Sequence, residues 1–317
     1  MIVYDVFNGD ADGIGALLQL RLAQPRPAAL ITGVKRDIKL LQQVPPQAGV
    51  DVTVLDISLA ENVQALDALL QAGAKVRYFD HHHPGTIPGH PGLEVHIDTS
   101  PEVCTSLLVD RFLHGSHRIW AVVAAFGDNL EASARRAAEP LRLAETQIEE
   151  LRNLGEAINY NAYGETVADL FFHPTELYRR LYRHAEPFSF IAEDEAFPTL
   201  RDGFANDIDK ARRIAPETAN ASCALYILPN ERWSRRVSGA FSNTLVDEFP
   251  DRAHAVLTAR GEGYIVSVRA PRSNPRGAQE LCRRFATGGG REAAAGIQVL
   301  PSDKLENFSE QFCEFYR

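Results

Sequence analysis

The sequence predicts a two-domain α/β protein, a parallel-sheet domain followed by a smaller α/β domain. Three observations carry that expectation. Strand-like and helix-like runs alternate through the first 113 residues, the pattern turns helical from about 131 to 184, and a second strand and helix series begins near 217. Alternation of this kind builds a parallel sheet covered on both faces. A chain of 317 residues with 45% hydrophobic content can bury a core in each of two domains.

Taken in order, "MIVYDVF" is rich in β-branched and aromatic residues and reads as a strand, and "GIGALLQLRLA" after it sets apolar residues at helical spacing. "AALITG" (28–33), "VDVTVLDI" (50–57), "KVRYFD" (75–80) and "LEVHIDT" (93–99) read as further strands. Helices are expected over "LAENVQALDALLQAG" (59–73) and "EVCTSLLVDRFL" (102–113). "IWAVVAAFGD" (119–128) reads as one more strand that ends in an acid, and Pro140 interrupts the helical region that follows. Residues 184–198 show no period, and "TLRDGFANDIDKARRI" after them reads as a linker helix. The second series runs through strand "ASCALYIL" (221–228), helix "RVSGAFSNTLVDEF" (236–249), strands "AHAVLTA" and "YIVSVRA", helix "GAQELCRRFA" (277–286) and a glycine run. The expected organisation is a first domain over 1–185, a linker with a helix over 186–216 and a second domain over 217–317.

Charge and composition exclude several classes. A net charge of −9 argues against gripping long nucleic acid by its phosphates, which needs a basic surface. The charge is unevenly shared: residues 217–317 carry 13 Lys and Arg against 12 Asp and Glu, with seven arginines between 260 and 291. An anion-handling surface is therefore expected in the C-terminal domain. No apolar run approaches the roughly 18 residues of a membrane span, and no basic segment precedes an apolar one at the N-terminus. A cytoplasmic chain without membrane contact is the expectation. Cys104, Cys223, Cys282 and Cys313 show no C-x-x-C spacing, which speaks against a zinc knuckle or a disulfide framework and for reduced thiols.

The chemistry starts in "FNGDADGIGA" (7–16), which sets Asp10 and Asp12 at the carboxyl end of the first strand. Gly9, Gly13 and Gly15 miss the G-x-G-x-x-G spacing, and two carboxylates would face a phosphate there. Acids recur at the ends of later apolar runs: Asp56, then Asp80 followed by His81, His82 and His83, then Asp128. Singly, each has a plain alternative. Asp12 would cap the helix starting at Gly13, Asp56 the next helix, "DHHH" would be a polar turn before Pro84 and Gly85, and Asp128 a turn residue beside Gly127. Together they converge, because the carboxyl ends of parallel strands open on one crevice. Carboxylates with imidazoles suit divalent manganese, magnesium or iron, and the lack of cysteine in the set removes the mark of a structural zinc site. Two such ions about 3.5 to 4 Å apart would activate a water and neutralise a phosphoryl group, the chemistry of a two-metal phosphoesterase.

In order, "GDADGIGA", Asp56 in "VLDIS", "DHHHPG" and "FGDN" resemble the four motifs of the DHH phosphoesterase superfamily. "TGGGREAAAGI" (287–297) resembles the glycine-rich motif of its DHH-associated C-terminal domain, so the resemblance spans about 1–130 and 217–300. It implies a RecJ-like or nanoRNase-like two-domain form with the active site in the crevice between the domains. It further implies that Asp10 and Asp12 serve different metal ions, Asp56 bridges both, and His81 and Asp128 complete the site of Asp12. His82 would sit beside the substrate phosphate and Asp80 would orient a neighbouring histidine, while His83 receives no role. Two Mn2+ ions are implied, with Mg2+ or another divalent ion as the alternative.

Two positions depart from the family pattern. Where relatives offer a histidine or aspartate shortly before the aspartate pair, this chain has Val6 and Asn8, of which Asn8 offers a neutral carbonyl oxygen as a ligand. The family's "GGGH" reads Gly288, Gly289, Gly290, Arg291 here. The glycines would bring backbone amides close to a phosphate, and Arg291 would fork across its oxygens without serving as acid or base. Arg269 in "SVRA" matches a basic residue that the family sets against the substrate. The expected substrates are short oligonucleotides, linear dinucleotides or 3′-phosphonucleotides, not long duplexes. The alternatives are a short-chain exopolyphosphatase, a cyclic dinucleotide phosphodiesterase and a nucleotide-binding protein that has lost catalysis. The sequence leaves room for a homodimer.

Overall fold

The computed structural model describes residues 2–317. Strand β1 (Ile2–Phe7) is followed by α1 (Ala11–Ala23), β2 (Ala29–Ile31), β3 (Val50–Leu55), α2 (Leu59–Gln71), β4 (Lys75–Asp80) and β5 (Leu93–Ile97). The five strands form one all-parallel sheet in the order β2-β1-β3-β4-β5. That order reverses direction between β1 and β3, and such a reversal opens a crevice at the carboxyl ends of the two strands. Asp10 follows β1 and Asp56 follows β3, so the topology alone delivers both to the crevice.

Seven helices come next: α3 (Thr105–Phe112), α4 (Arg118–Gly127), α5 (Glu131–Ala138), α6 (Glu145–Asn161), α7 (Pro174–Tyr182), α8 (Pro187–Glu193) and α9 (Ala196–Arg212). The run 119–128, expected as a strand, is helix α4. Its residues Trp120 to Gly127 are all buried, so the run is apolar on every side and carries no period to tell helix from strand. Alanines at 121, 124 and 125 favour the helix. Pro140 lies in a short 3-10 turn (Glu139–Leu141) between α5 and α6, as the sequence suggested. Residues 184–198, which show no period, nevertheless include α8.

Small residues let α1, α4 and α6 approach closely. A Cβ on Gly155 of α6 would stand 2.1 Å from the carbonyl oxygen of Val123, and one on Gly127 of α4 would stand 2.4 Å from the Cβ of Ala11. The end of α4 is thereby pressed against the start of α1, which sets Asp128 beside Asp12. At its other end α1 is fixed by a buried ion pair. Arg21 donates from Nε to Asp5 Oδ2 at 2.7 Å and from Nη2 to Asp5 Oδ1 and, at 3.1 Å, to Thr53 Oγ1. The pair ties the helix to β1 and β3.

The chain divides into two units, Met1–Gly203 and Phe204–Arg317. After the end of α9, the second comprises β6 (Thr218–Ala219), β7 (Cys223–Leu228), α10 (Arg232–Glu248), β8 (Ala253–Arg260), β9 (Gly263–Arg269), α11 (Ala278–Arg283), β10 (Gly288–Gly290), β11 (Ala294–Pro301) and α12 (Leu305–Phe315). Its sheet runs β10-β11-β9-β8-β7-β6, with β7 and β8 parallel and every other pair antiparallel. The glycine run is an edge strand rather than a loop. Gly290 has φ 143°, and a Cβ on Gly288 would stand 1.6 Å from the carbonyl oxygen of Cys282, so packing and backbone shape account for these two glycines. The four cysteines are free and buried. No described helix is long and apolar enough to cross a membrane.

Replacing Arg21 with leucine leaves the Asp5 carboxylate buried without its partner. Urea unfolding is expected to show a loss of about 3 to 5 kcal/mol; a loss below about 1 kcal/mol, the range of exposed pairs, would contradict this role.

Candidate metal centre

The turn after β1 is organised by Asp10. It stands at the N-cap of α1, its Oδ1 accepting from the backbone N–H of Asp12 and of Gly13 at 3.0 Å each. The helix begins at Ala11, so the cap is Asp10 and not Asp12. The other oxygen, Oδ2, receives Lys35 Nζ at 2.6 Å. Lys35 Nζ also donates to Asn159 Oδ1 at 3.4 Å and lies 3.5 Å from Asp128 Oδ1. Asn8 is engaged at both ends of its amide: Oδ1 accepts from Asp10 N at 3.2 Å and Nδ2 donates to the Lys35 carbonyl at 3.3 Å.

Asp12 is buried against the first turn of α3, where unpaired backbone N–H groups and the helix dipole favour a carboxylate. Thr105 N donates to Asp12 Oδ2 at 2.8 Å and Ser106 N to Asp12 Oδ1 at 2.7 Å. Asp56 has φ 58°, a left-handed conformation that is uncommon outside glycine and that recurs at functional sites. Ser58 occupies the N-cap position of α2, so Asp56 does not cap that helix. Its Oδ1 accepts from Thr105 Oγ1 at 3.4 Å and lies 3.4 Å from His81 Nε2.

The two histidines are held differently. His81 Nδ1 is 3.0 Å from the Val103 carbonyl, which only accepts, so Nδ1 carries a proton and Nε2 is the nitrogen left to serve as a ligand. His81 Nε2 faces Asp56 Oδ1 at 3.4 Å and Asp12 Oδ2 at 4.0 Å. His82 Nδ1 lies 2.7 Å from Asp80 Oδ1, which also accepts the backbone N–H groups of His81 and His82. Asp80 Oδ2 is buried with no hydrogen-bond partner. The hydrogen bond that the His82 ring donates to Asp80 raises the His82 pKa, against the effect of burial and with the help of the charges on Asp80, Asp12 and Asp10.

Ligand atoms of Asp12, His81 and Asp128 all lie within 4.8 Å of one another, as do those of Asp56, His81 and His82. Burial, and then repulsion from Asp10, Asp12, Asp128 and Asp80, push the Asp56 carboxyl well above its ordinary range. Asp128 is pushed up to about 6 by burial and by Asp12 and Asp10, with Lys35 and His81 opposing. For Asp10 burial also works against charge, but the charge and hydrogen bond of Lys35 outweigh it and its pKa is lowered. Carboxylates crowded against a lone-pair nitrogen are unfavourable alone and well matched to a divalent cation, so this donor set fits one.

Of the residues singled out in the sequence, Asp12, Asp56, His81, His82 and Asp128 come together with Asp80 behind them, while Asp10 belongs to neither ligand cluster. Sequence reasoning missed Lys35, Thr105, Ser106 and Asn159. Only Lys35, in "TGVKRD" just past β2, carried a signal: a basic residue at the carboxyl end of the strand beside β1. The remaining candidates belong to the second unit. Arg269 donates from Nε to Asn243 Oδ1 at 2.8 Å, and from Nη1 to Ser267 Oγ at 3.0 Å. Arg291 is exposed at the hairpin between β10 and β11, where its backbone N–H bonds the Ala294 carbonyl at 2.8 Å.

Asp128 carries a pH signature. Between its ordinary value of 3.8 and about 6, the metal-free native state holds a proton that the unfolded chain releases, so stability falls as pH rises through that window and the cost persists above it. In chelator-treated protein, Asp128→Asn is expected to be more stable than the parent at pH 7.5 by up to about 3 kcal/mol, the difference closing near pH 4. Urea titrations test this; a variant less stable than its parent at pH 7.5 contradicts it.

Residues 220–317 match the DHHA1 domain model. No curated protein matches the sequence. Among solved structures, exonuclease RecJ bound to manganese superposes with a TM-score of 0.66 at 14% identity, covering 99% of this chain and 89% of that one. A DHH domain described as a member of a family of ribosomal proteins gives 0.64 at 15% identity, covering 99% and 86%. The pGpG-specific phosphodiesterase PggH from Vibrio cholerae gives 0.58 at 12% identity, covering 100% and 99%. Residues 220–317 thus resemble the DHHA1 domain, and the chain as a whole shares the two-domain fold of these DHH/DHHA1 structures.

Proposed function

We propose that the chain is a divalent-cation-dependent phosphoesterase acting on short nucleotide substrates such as linear dinucleotides and oligonucleotides. The observation that carries this reading is that two ligand groups, Asp12 with Asp128 and Asp56 with His82, meet at His81 beside the sheet's switch point. The fold shared with an exonuclease and a pGpG-specific phosphodiesterase supports it. Bound there, a divalent ion, manganese in this reading, supplies an activated water and neutralises charge on the phosphoryl group.

The chain's own residues do the rest. Asp12 is locked by the α3 amides and Asp56 by its backbone, so the donor set is in place before substrate arrives. His82, its pKa raised by the hydrogen bond to Asp80 and its side chain 47% exposed, is placed to meet a phosphate oxygen. Arg291 is exposed, and its planar guanidinium is of the kind that forks across phosphate oxygens. The net charge of −9 suits small anions met by local cations better than long duplexes held along their backbone. This chemistry is assigned to the cytoplasm.

A product assay tests the reading. Purified protein with manganese is offered a 5′-labelled trinucleotide, a linear dinucleotide, a 3′-phosphonucleotide, a cyclic dinucleotide and short polyphosphate. Chelator-sensitive turnover of a linear nucleotide is expected; no turnover of any of the five overturns it. Asp56→Asn should retain less than about a tenth of parental activity and lose divalent-ion affinity, because the carboxylate it removes belongs to the donor set. Activity near the parent's would contradict that role.

Arg291→Ala should lower kcat/KM by about 10- to 150-fold, the scale of a charge-assisted hydrogen bond, with divalent-ion content unchanged. Arg291→Lys should recover part of the loss, since an ammonium is a point charge where guanidinium is a fork. Parental kcat/KM in Arg291→Ala contradicts the contact.

A further inference from the structure

We infer that the Lys35 ammonium is a built-in cation standing where a second divalent ion would otherwise bind Asp10, so that this chain carries a single-ion centre. The inference rests on the reading of the crevice as a divalent-ion site and departs from the two-ion expectation.

Three observations carry it. The first is that both Asp10 oxygens are already engaged: Oδ1 accepts from two backbone amides of α1 and Oδ2 from Lys35 Nζ at 2.6 Å. A dication against that oxygen would meet the ammonium at contact distance, and like charges so close repel strongly in a buried crevice.

The second is that Lys35 is anchored in place. Its backbone N–H donates to the Ala162 carbonyl at 3.0 Å and its own carbonyl accepts from Asn8 Nδ2 at 3.3 Å. Its Nζ faces three acceptors, Asp10 Oδ2, Asn159 Oδ1 and Asp128 Oδ1, at 2.6, 3.4 and 3.5 Å. Asn159 is oriented in turn by donating from Nδ2 to the Tyr163 hydroxyl at 3.1 Å. Admitting an ion on Asp10 means expelling Lys35 from all of these partners.

The third is the lack of further donors on that side. Val6 is apolar, and both ends of the Asn8 amide are already used by Asp10 N and the Lys35 carbonyl. The remaining ligand atoms form two groups, Asp12 with His81 and Asp128, and Asp56 with His81 and His82, which share His81 and neither of which includes Asp10. The consequence is a centre with one ion and one fixed ammonium. Lys35 offsets carboxylate charge and orders Asp10 without activating a water.

Manganese titration of the full-length protein by calorimetry, with electron paramagnetic resonance of the loaded sample, tests this directly. The parent should bind one Mn2+ per chain and give an uncoupled six-line spectrum. Lys35→Gln, which frees Asp10 Oδ2, should admit a second ion, bound more weakly than the first for want of further donors, and show exchange coupling. Asp10→Asn, which keeps a good helix cap, should still bind one ion. Two ions per parent chain, or a single ion in folded Lys35→Gln, overturns the inference and leaves the divalent-ion reading standing. No ion bound to the parent overturns both. If Lys35→Gln does not fold, the parent and Asp10→Asn stoichiometries decide, because a two-ion centre drops from two to one on losing Asp10.

Discussion

Carboxylates buried in one crevice repel one another, and the first unit of this protein is built around that repulsion. Asp10, Asp12, Asp56 and Asp80 are each no more than 3% exposed, and Asp128 closes the group. Each is held by a different device. Asp10 has an ammonium and the start of α1, Asp12 the start of α3, Asp80 a pair of backbone amides and His82, and Asp56 a strained backbone. Asp56 and Asp128 receive the least compensation, which is why their carboxyl groups are the ones pushed upward. A cation is the missing term in that balance.

The surrounding fold serves to bring these groups to one point and keep them there. Parallel pairing puts the ends of β1, β3 and β4 on one side, and the reversal of strand order between β1 and β3 leaves room above them. The glycine contact between α4 and α6 then lets Asp128 reach a crevice otherwise supplied only by strand ends. The buried pair of Arg21 and Asp5 secures the far end of α1, so that its first turn presents Asp10 and Asp12 at fixed positions. Stability is given up at the centre and regained in the packing around it, a common arrangement at functional sites.

Much of this was legible in the sequence. The alternating strands and helices of the first half gave the parallel sheet, and acids at the ends of β-rich runs pointed to a shared crevice. The run before Asp128 misled because a fully buried helix and a fully buried strand look alike when no polar face marks the period. That the glycines at 288–290 form an edge strand was not legible, because it rests on contacts with Cys282 and Ala295, which only the fold reveals. Lys35 was missed for a similar reason, its one signal being its place past the strand beside β1. A lone lysine past a three-residue strand has no pattern of its own, and its meaning comes from Asp10, 25 residues away in sequence.

The account turns on the claim that this crevice is a cation site with one position filled by the protein itself. A crystal structure of manganese-soaked protein, with anomalous data collected at the manganese edge, tests that claim most directly. The account predicts one anomalous peak among Asp12, Asp56, His81 and Asp128, with Lys35 Nζ still on Asp10. Two peaks with Lys35 swung away from Asp10, or no peak in the crevice, would contradict it.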